Sequence, residues 1–472
     1  MMVDHTSDIW EDEEAPEAYH SFLNSLKSGT IKYFDVNEYE EIMDFLMDEG
    51  DYETMEKVLD QALNIHPDAI PLRISYARTL IGRGEPGEAI RELEILVKIE
   101  RNNPEIYMML GSGYLMLDMP YEAGNCFGKA IDFTSEDLDD IFWRIGTSYI
   151  QYGDISKAVS YFERSFAENP ENEMVLNDLG YYCDQLGYAD RSIYYYNLYL
   201  DLDPFNPAVW FNLGIAYNRT SQFEKALQAY DFTLALNTNF YHAIFNKANS
   251  LANLERYQEA IRNYREYLKF DPENDDGFCY MGECYLNQGR YKMADRFYKK
   301  ALDINPDNDI ALFSTGIIHW VEKRYELSID LIRKAIEIEP ETPDYWFTFA
   351  RVLVDAGRGT EALSAFKKAS FLNPRNSEIW INYAEYQHNV GKVKEAIRIL
   401  KRGIRHNNED AAIKYLLAAY LYETNEVKEA EFQLETALKL DFNRHDDLFR
   451  VYPKAAQNDA VKKLIKSYKP LK

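Results

Sequence analysis

The feature that most constrains this chain is a 34-residue period that runs from Val36 to near Arg444. Alignment at that spacing gives twelve repeats, which begin at residues 36, 70, 104, 139, 173, 207, 241, 275, 309, 343, 377 and 411. The eighth position holds Gly or Ala in every repeat except the first, which has Met43, and the twentieth holds Ala or Ser except at Met55. A fixed period of this length is typical of stacked supersecondary units that bury a core only together.

Each repeat contains two apolar runs at helical spacing. In the eighth repeat, Phe278, Met281 and Tyr285 form the first run, and a second follows over residues 294–302. Gly289 lies between them, and the equivalent turn has Gly at residues 50, 84, 153, 187, 357 and 391. Because Gly suits a helix that ends in a left-handed residue, each repeat is predicted to be two antiparallel helices joined by a tight turn.

Packing explains the other regular positions. Small residues at positions eight and twenty let the two helices approach closely. Large side chains fill the space around them at position twenty-four, which is occupied by Phe127, Phe162, Tyr196, Tyr230, Tyr264, Tyr298 and Phe366. Position thirty-two stops the second helix with a proline in seven repeats, at residues 67, 170, 204, 272, 306, 340 and 374.

This combination of small residues, aromatics and prolines resembles the tetratricopeptide repeat (TPR) family. The sixth repeat matches the family signature best, with Trp210, Leu213, Gly214, Tyr217, Ala226 and Tyr230. The resemblance implies an all-α fold, a right-handed α-solenoid or superhelix of antiparallel helix pairs with terminal capping helices. The first repeat departs from the pattern, one residue is inserted near residues 135–138, and repeats eleven and twelve lack the closing proline.

Three segments are expected. Residues 1–35 form an acidic, partly disordered N-terminal segment with a short helix over residues 17–26, and residues 36–444 form twelve TPR-like repeats. Residues 445–472 form a C-terminal capping helix, broken at Pro453, and a basic tail. A terminal element with one polar face is what a stacked array needs to stay soluble.

Composition excludes several classes of function. The net charge of −27 and the pI near 4.8 argue against nucleic-acid binding, which needs clustered Lys and Arg. No apolar stretch approaches the length of a membrane-spanning helix, and the acidic start does not resemble a signal peptide. A cytoplasmic protein without membrane insertion is therefore expected. The four cysteines, at residues 126, 183, 279 and 284, form no CxxC pair and are predicted to be free thiols.

Motifs that resemble catalytic or metal sites fall in packing positions. The Gly-rich stretch over residues 82–87 lies in the inter-helix turn of repeat two, where no strand precedes it as a dinucleotide site requires. The eight histidines lack metal-ligand spacing, and the acidic loops at residues 271–276 and 305–309 coincide with inter-repeat turns. The chain is therefore predicted to be no enzyme, with no cofactor, no metal and no catalytic residue.

Partner binding is expected on the first helices. In the resembled family, positions two, five, six, nine, twelve and thirteen face the concave groove, and we call them the groove positions. An Asn carboxamide both donates and accepts hydrogen bonds, which suits an extended peptide backbone, and aromatic anchors commonly dominate interfaces. The predicted site consists of Phe211, Asn212, Arg219, Phe245, Asn246, Asn249, Asn253, Asn287, Phe313, Ile317, Trp320 and Phe347.

These residues also have a structural interpretation, in which the aromatics pack against the neighbouring repeat and the asparagines are merely solvated. The functional hypothesis is a non-catalytic scaffold that binds extended or helical segments of partner proteins in the groove. The alternative is a regulatory or adaptor subunit of an enzyme complex whose catalytic chain is separately encoded. A third hypothesis is weak self-association through opposite charges. Residues 1–60 contain 18 Asp and Glu against 3 Lys and Arg, and residues 444–472 contain 8 Lys and Arg against 3 Asp.

Overall fold

The computed structural model describes residues 16–28 and 32–468, and this part of the chain consists of helices joined by short turns. The helices are α1 Glu17–Ser28, α2 Val36–Asp48, α3 Tyr52–Ile65, α4 Ile70–Gly82, α5 Pro86–Ile99, α6 Pro104–Met116, α7 Pro120–Phe133, α8 Leu138–Tyr152, α9 Ile155–Glu168, α10 Glu173–Gln185, α11 Ala189–Leu202, α12 Pro207–Arg219, α13 Phe223–Leu236, α14 Tyr241–Asn253, α15 Tyr257–Tyr267, α16 Asp275–Asn287, α17 Tyr291–Ile304, α18 Asp309–Val321, α19 Tyr325–Ile338, α20 Pro343–Asp355, α21 Gly359–Leu372, α22 Ser377–Asn389, α23 Val393–Ile404, α24 Ala411–Glu423, α25 Val427–Leu440, α26 Asp446–Val451 and α27 Asp459–Ser467. Two 3-10 segments, Phe442–Arg444 and Pro453–Gln457, flank α26.

The 34-residue period predicts where the first helix of each repeat begins. Eleven of the twelve repeats begin their first helix at the predicted residue. The exception is α8, which begins one residue early, at Leu138. The inserted residue is accommodated just before it, where Asp137 adopts a left-handed conformation with φ of 59°. The insertion therefore leaves the helix pairing of repeat four intact.

Position fifteen is left-handed in all twelve repeats. Seven repeats place Gly there, and the other five place Asp118, Ser221, Glu255, Lys323 and Asn425, all with positive φ. The left-handed residue ends the first helix and lets the chain reverse within three residues. The turn predicted from the glycines is therefore present also in the repeats that lack Gly.

The small residue at position eight lies directly under the large residue at position twenty-four. A Cβ added to Gly180 would lie 2.4 Å from the Cε1 atom of Tyr196, and one added to Gly146 would lie 2.5 Å from that of Phe162. These aromatic rings are almost fully buried. In these two repeats, glycine therefore allows the close approach of the helices that the pattern predicts, whereas repeats seven and ten accommodate Ala248 against Tyr264 and Ala350 against Phe366.

In repeats six, ten and eleven, a tryptophan at position four contacts the turn that closes the preceding repeat. Its indole Nε1 donates a hydrogen bond to the carbonyl of the proline that closes the preceding repeat. The donor–acceptor distances are 2.8 Å for Trp210 and Pro204, 2.7 Å for Trp346 and Pro340, and 2.9 Å for Trp380 and Pro374. Each bond spans six residues and fixes the angle at which the next first helix leaves the proline turn. We call this contact the Trp–Pro junction.

The chain divides into two compact units, the first ending at Thr238 and the second beginning at Asn239. Each unit is an α-solenoid of antiparallel helix pairs in which contacts are made mainly between neighbouring helices. The predicted all-α solenoid is confirmed in both. The predicted segment boundaries at residues 35/36 and 444/445 stay predictions.

Each unit has an element that covers its terminal core. In the first, α1 lies where the sequence predicts a short helix, and its buried Phe22 packs with Phe34 and Tyr39. In the second, α26, the following 3-10 segment and α27 bury Leu448, Ala455 and Val461 against α24 and α25. The predicted disorder of residues 1–15 concerns part of the chain outside the described residues.

Candidate functional site

In the second unit, groove-position side chains of repeats nine to eleven enclose a pocket of about 190 Å³. Of the nine residues that line it, seven occupy groove positions: Trp320, Arg351, Val354, Asp355, Asn382, Glu385 and Asn389. They come from the first helices of three consecutive repeats, α18, α20 and α22. Stacking of the repeats therefore brings together residues that lie up to 69 positions apart in the sequence. We call this the Trp320 pocket.

Trp320 is held at the pocket edge by two contacts to the next repeat. Its indole Nε1 donates to Asp355 Oδ2 at 2.7 Å, and the guanidinium of Arg351 lies 4.9 Å from the ring centroid. Trp320 is only partly buried, so part of its side chain stays accessible. Burial raises the pKa of the Glu385 carboxyl on α22. The pocket thus offers an aromatic surface beside both charge signs.

The phenylalanines at position five contact the body of the solenoid. Phe313 stacks on Tyr345 of the next repeat with ring centroids 4.3 Å apart, and Phe347 is buried and lies 6.4 Å from Phe366. Phe245 contacts Tyr264, Tyr267 and Tyr280 at 4.8 to 5.7 Å. These contacts match the structural interpretation, in which such aromatics pack sideways. Their predicted role in binding stays a prediction.

The asparagines of repeat seven hydrogen-bond within their own repeat. The Asn246 carboxamide donates to the His242 carbonyl at 3.1 Å, and that of Asn253 donates to the Asn249 carbonyl at 2.9 Å. The side-chain oxygen of Asn249 accepts from the Tyr264 hydroxyl at 2.6 Å. A peptide would therefore compete with intramolecular bonds for these groups. Asn287, at position thirteen of repeat eight, is exposed. Ile317, at position nine of repeat nine, is partly buried.

The first unit contains the remaining predicted residues, all on α12. Phe211 and Asn212 are partly buried, with Phe211 6.0 Å from Tyr230 and Asn212 a hydrogen-bond partner of Tyr196. Arg219 is exposed and reaches Asp184, donating to its carbonyl at 3.0 Å and approaching its carboxylate at 3.3 Å. These residues line the groove positions of repeat six, as the resemblance implies.

Sequence reasoning missed a second pocket in the first unit, formed by repeats two to four. It has a volume of about 260 Å³ and is lined at groove positions by Arg78, Ile81, Glu105, Met108, Met109, Ser112, Trp143, Arg144, Thr147 and Gln151. Glu105 accepts from Arg144 at 2.6 Å and from Arg78 at 3.2 Å. The sequence feature that could have predicted this pocket is the presence of Arg78, Glu105 and Arg144 at groove positions of three consecutive repeats. We call this the Glu105 pocket.

Trp143 in the Glu105 pocket repeats the arrangement of Trp320. Its indole Nε1 donates to Asp178 Oδ2 of the next repeat at 2.8 Å, and burial raises the pKa of that carboxyl. In each unit, a groove-position Trp is therefore oriented by an Asp of the following repeat. The two pockets share a chemistry although they lie in different units.

The structure places the nucleotide-like and metal-like motifs at turns between helices. The Gly-rich stretch spans the end of α4 and the start of α5. The Asp275 carboxylate accepts from Asn305 at 2.7 Å and from Asn308 at 2.9 Å, across an inter-repeat turn. Within residues 16–28 and 32–468, no cluster of three or more His, Cys, Asp or Glu could hold a metal ion. All four cysteines are free, as predicted. No helix in the described ranges is both long and apolar enough to span a bilayer.

Sequence comparison adds to this geometry. Tetratricopeptide repeat models match residues 46–112, 144–207, 195–228, 241–274 and 276–308, and the model of the cytochrome c-type biogenesis protein H TPR domain matches residues 326–441. The chain belongs to the tetratricopeptide repeat family. All six models that match this TPR protein describe TPR segments. No curated protein sequence matches it significantly.

Solved TPR structures resemble this TPR protein. Yeast Tom70 is 14% identical with a TM-score of 0.43, over 85% of this chain and 95% of that one. The C-terminal part of a TPR repeat-containing protein from Cytophaga hutchinsonii is 20% identical with a TM-score of 0.43, over 51% and 98%. Cut9–Hcn1, an APC/C hetero-tetramer, is 12% identical with a TM-score of 0.39, over 96% and 98%. The family assignment rests on the sequence models.

Proposed function

We propose that this TPR protein is a non-catalytic, cytoplasmic scaffold that binds segments of partner proteins along the groove positions of its first helices. The observation that carries the proposal is the Trp320 pocket, in which groove positions supply seven of nine lining residues. Five of these seven side chains are polar and lie outside the hydrophobic core, whereas Trp320 and Val354 pack against it. Family membership supports the same function at a coarser level.

The chemistry of the Trp320 pocket suits a peptide that inserts one apolar side chain. The accessible part of the Trp320 side chain provides apolar contact, and aromatic anchors of this kind commonly dominate binding energy. Arg351 and Asp355 at its edge, with the carboxamides of Asn382 and Asn389, can bond the backbone on both sides of the inserted residue. The role we assign to Trp320 is that of the anchor.

The proposed site keeps the other sequence-predicted residues in supporting roles. Phe313 and Phe347 hold the groove face of repeats nine and ten in place through their packing. The asparagines of repeat seven would extend the site, where a partner exchanges their intramolecular bonds for its own. Such an exchange contributes about 1 kcal/mol or less for each bond, so the anchor matters more.

The experiment is selection of peptides from a displayed random library on the full-length protein, followed by measured affinities of the selected peptides. In a Trp320→Ala, Arg351→Ala variant, we expect peptides selected on the wild type to bind about tenfold or more weakly. Phe232→Ala is the matched control, because Phe232 is an aromatic that is 52% exposed on the second helix α13, away from the groove positions. Its affinities should match the wild type.

If the wild type and the Trp320→Ala, Arg351→Ala variant bind every selected peptide with equal affinity, the Trp320 pocket is not the peptide-binding site. The alternative, an adaptor subunit, predicts instead that a stoichiometric enzyme co-purifies with the protein and is retained by the Trp320 variant.

A further inference from the structure

A second kind of pocket lies on the second helices of repeats ten and eleven, away from the groove positions. Its volume is about 480 Å³, and it is lined by Lys367, Ser370, Phe371, Pro374, Trp380, Arg402, Arg405 and His406. Phe371 on α21 is 76% exposed, an unusual position for a large apolar side chain. We call this the basic pocket.

The walls of the basic pocket combine aromatic surface with positive charge. Trp380 forms its base, fixed by the Trp–Pro junction to Pro374, and the Arg402 guanidinium lies 5.8 Å from the indole centroid. His406 stacks parallel to the same ring at 6.4 Å. Among the lining residues none is acidic, and within the described chain no ion pair neutralises Arg402 or Arg405. This charge is unusual on a protein with a net charge of −27.

Helix α23 extends the positive charge beyond the pocket. Lys394, Arg398, Lys401 and Arg402 lie along it, against the single acid Glu395 in its first turn. Glu395 pairs with Arg398 at 3.0 Å, and Glu429 pairs with Lys401 at 2.7 Å. Arg402, and Arg405 just after α23, thus lie unneutralised at the end of the helix that borders the basic pocket. Neither residue occupies a groove position.

The segment of this chain with complementary chemistry is its N-terminal stretch over residues 4–14. It contains Asp4, Asp8, Glu11, Asp12, Glu13 and Glu14, no Lys or Arg, and one aromatic, Trp10, next to Ile9. The basic pocket combines an exposed aromatic side chain with guanidinium groups. The N-terminal stretch has the complementary combination, an aromatic side chain between carboxylates. Opposite potentials of this kind speed encounter and select the partner.

We propose that residues 4–14 of a second copy of this chain bind the basic pocket, with Trp10 against the exposed Phe371 and the acidic run against Arg402, Arg405 and Lys367. The contact joins the acidic end of one copy to repeats ten and eleven of another. It therefore differs from the charge attraction predicted between the two ends, in which the lysines of residues 445–472 would be the acceptor.

The test measures binding of a fluorescein-labelled peptide of residues 1–16 to the full-length chain by fluorescence anisotropy. The receptor carries Trp10→Ala and amide replacements of its six N-terminal acids, so that its own segment does not compete. We expect saturable binding that weakens about tenfold or more in Arg402→Glu, Arg405→Glu and by a smaller factor in Phe371→Ala. Arg402, Arg405 and Phe371 are exposed, and circular dichroism will establish that the variants stay folded.

The matched control reverses three exposed lysines of α27, Lys462→Glu, Lys463→Glu and Lys466→Glu. We expect this variant to bind the peptide as the unreversed receptor does, within about twofold. A peptide with Trp10→Ala should bind about fivefold or more weakly than the wild-type peptide. Affinity should also fall as salt rises.

Three results would overturn the proposal: no saturable binding, equal binding by the Arg402, Arg405 variant, or loss confined to the α27 control. Equal binding of the Trp10→Ala peptide would overturn the aromatic part. The result is independent of the groove experiment, because none of these substitutions lies at a groove position of the Trp320 pocket.

Discussion

Gly180→Ala offers a quantitative test of the packing between positions eight and twenty-four. The new methyl carbon would lie 2.4 Å from Tyr196 Cε1, closer than non-bonded carbons approach, and Tyr196 is only 1% exposed. The ring must therefore move within a close-packed core, which costs about 1 to 3 kcal/mol. Replacing Gly in a helix by Ala returns about 1 kcal/mol. We expect a net loss of up to about 2 kcal/mol in the free energy of unfolding.

The control is the same substitution at Gly124 on α7, where an added Cβ meets no atom within 4 Å. The gain in helix propensity is then unopposed, so Gly124→Ala should stabilise the protein by about 0.5 to 1 kcal/mol. The difference between the two variants isolates the clash with Tyr196. Urea unfolding followed by circular dichroism measures both, compared by midpoint at an unchanged slope.

A double substitution tests the cause. Repeats two, eleven and twelve pair Ala at position eight with Leu at position twenty-four, as in Ala77 and Leu93. Tyr196→Leu alone removes buried contacts and costs about 1 to 3 kcal/mol. Combined with Gly180→Ala, it should cost about 1 kcal/mol less than the sum of the single variants. Additive costs, or a Gly180→Ala variant as stable as Gly124→Ala, would refute the close-approach explanation.

Other predictions concern single positions. Lys323→Gly should raise the free energy of unfolding by about 0.5 kcal/mol or more. Lys323 has φ of 62°, and a left-handed L-residue costs about 1 to 2 kcal/mol, which the greater unfolded-state entropy of Gly partly offsets. The urea midpoint should therefore rise, and an unchanged or lower midpoint would contradict the prediction. Burial lowers the pKa of His319 below its usual 6.5, so the unfolded chain binds this proton more tightly and stability falls as the pH drops below about 6.5. His319→Tyr, which copies the Tyr of repeats three, four, six and eight, should lessen the loss of thermal stability between about pH 7 and pH 5, and an identical pH profile would refute this role. Iodoacetamide should label Cys126 first, as peptide mass spectrometry can measure, because Cys126 is half-buried and the other three cysteines are buried. Burial raises the thiol pKa of all four, to about 11 in Cys183 and about 12 in Cys279 and Cys284.

The period made the helices predictable because it reports packing at every position. Gly and aromatic residues recur where two helices must meet, so the start of eleven first helices follows from counting. The left-handed turns at Lys323 and Glu255 could be inferred only by analogy with the repeats that have Gly, since neither residue favours that conformation. At these two positions the residue itself gives no sign of a left-handed turn, and only the alignment with the other repeats predicts one.

The contacts within the candidate site were less predictable than the helices. A groove position indicates on which face of the helix a side chain lies, but it does not indicate which residues that side chain contacts. Phe313 was predicted as an anchor on the same grounds as Trp320, yet it stacks on Tyr345. The Glu105 pocket depends on Arg78 and Arg144 reaching one carboxylate from repeats on either side. Such contacts depend on side-chain conformations and repeat stacking, which no single repeat encodes.

The Trp–Pro junction has a consequence for synthesis of the chain. In each case the indole follows its carbonyl partner by only six residues, so the contact needs almost no chain beyond itself to form. As a nascent chain emerges from the ribosome, each of these three hinges can close before the helix that follows it has been completed. At these junctions the order of assembly would then run from the N-terminus to the C-terminus, with the finished hairpin serving as the template on which its successor docks.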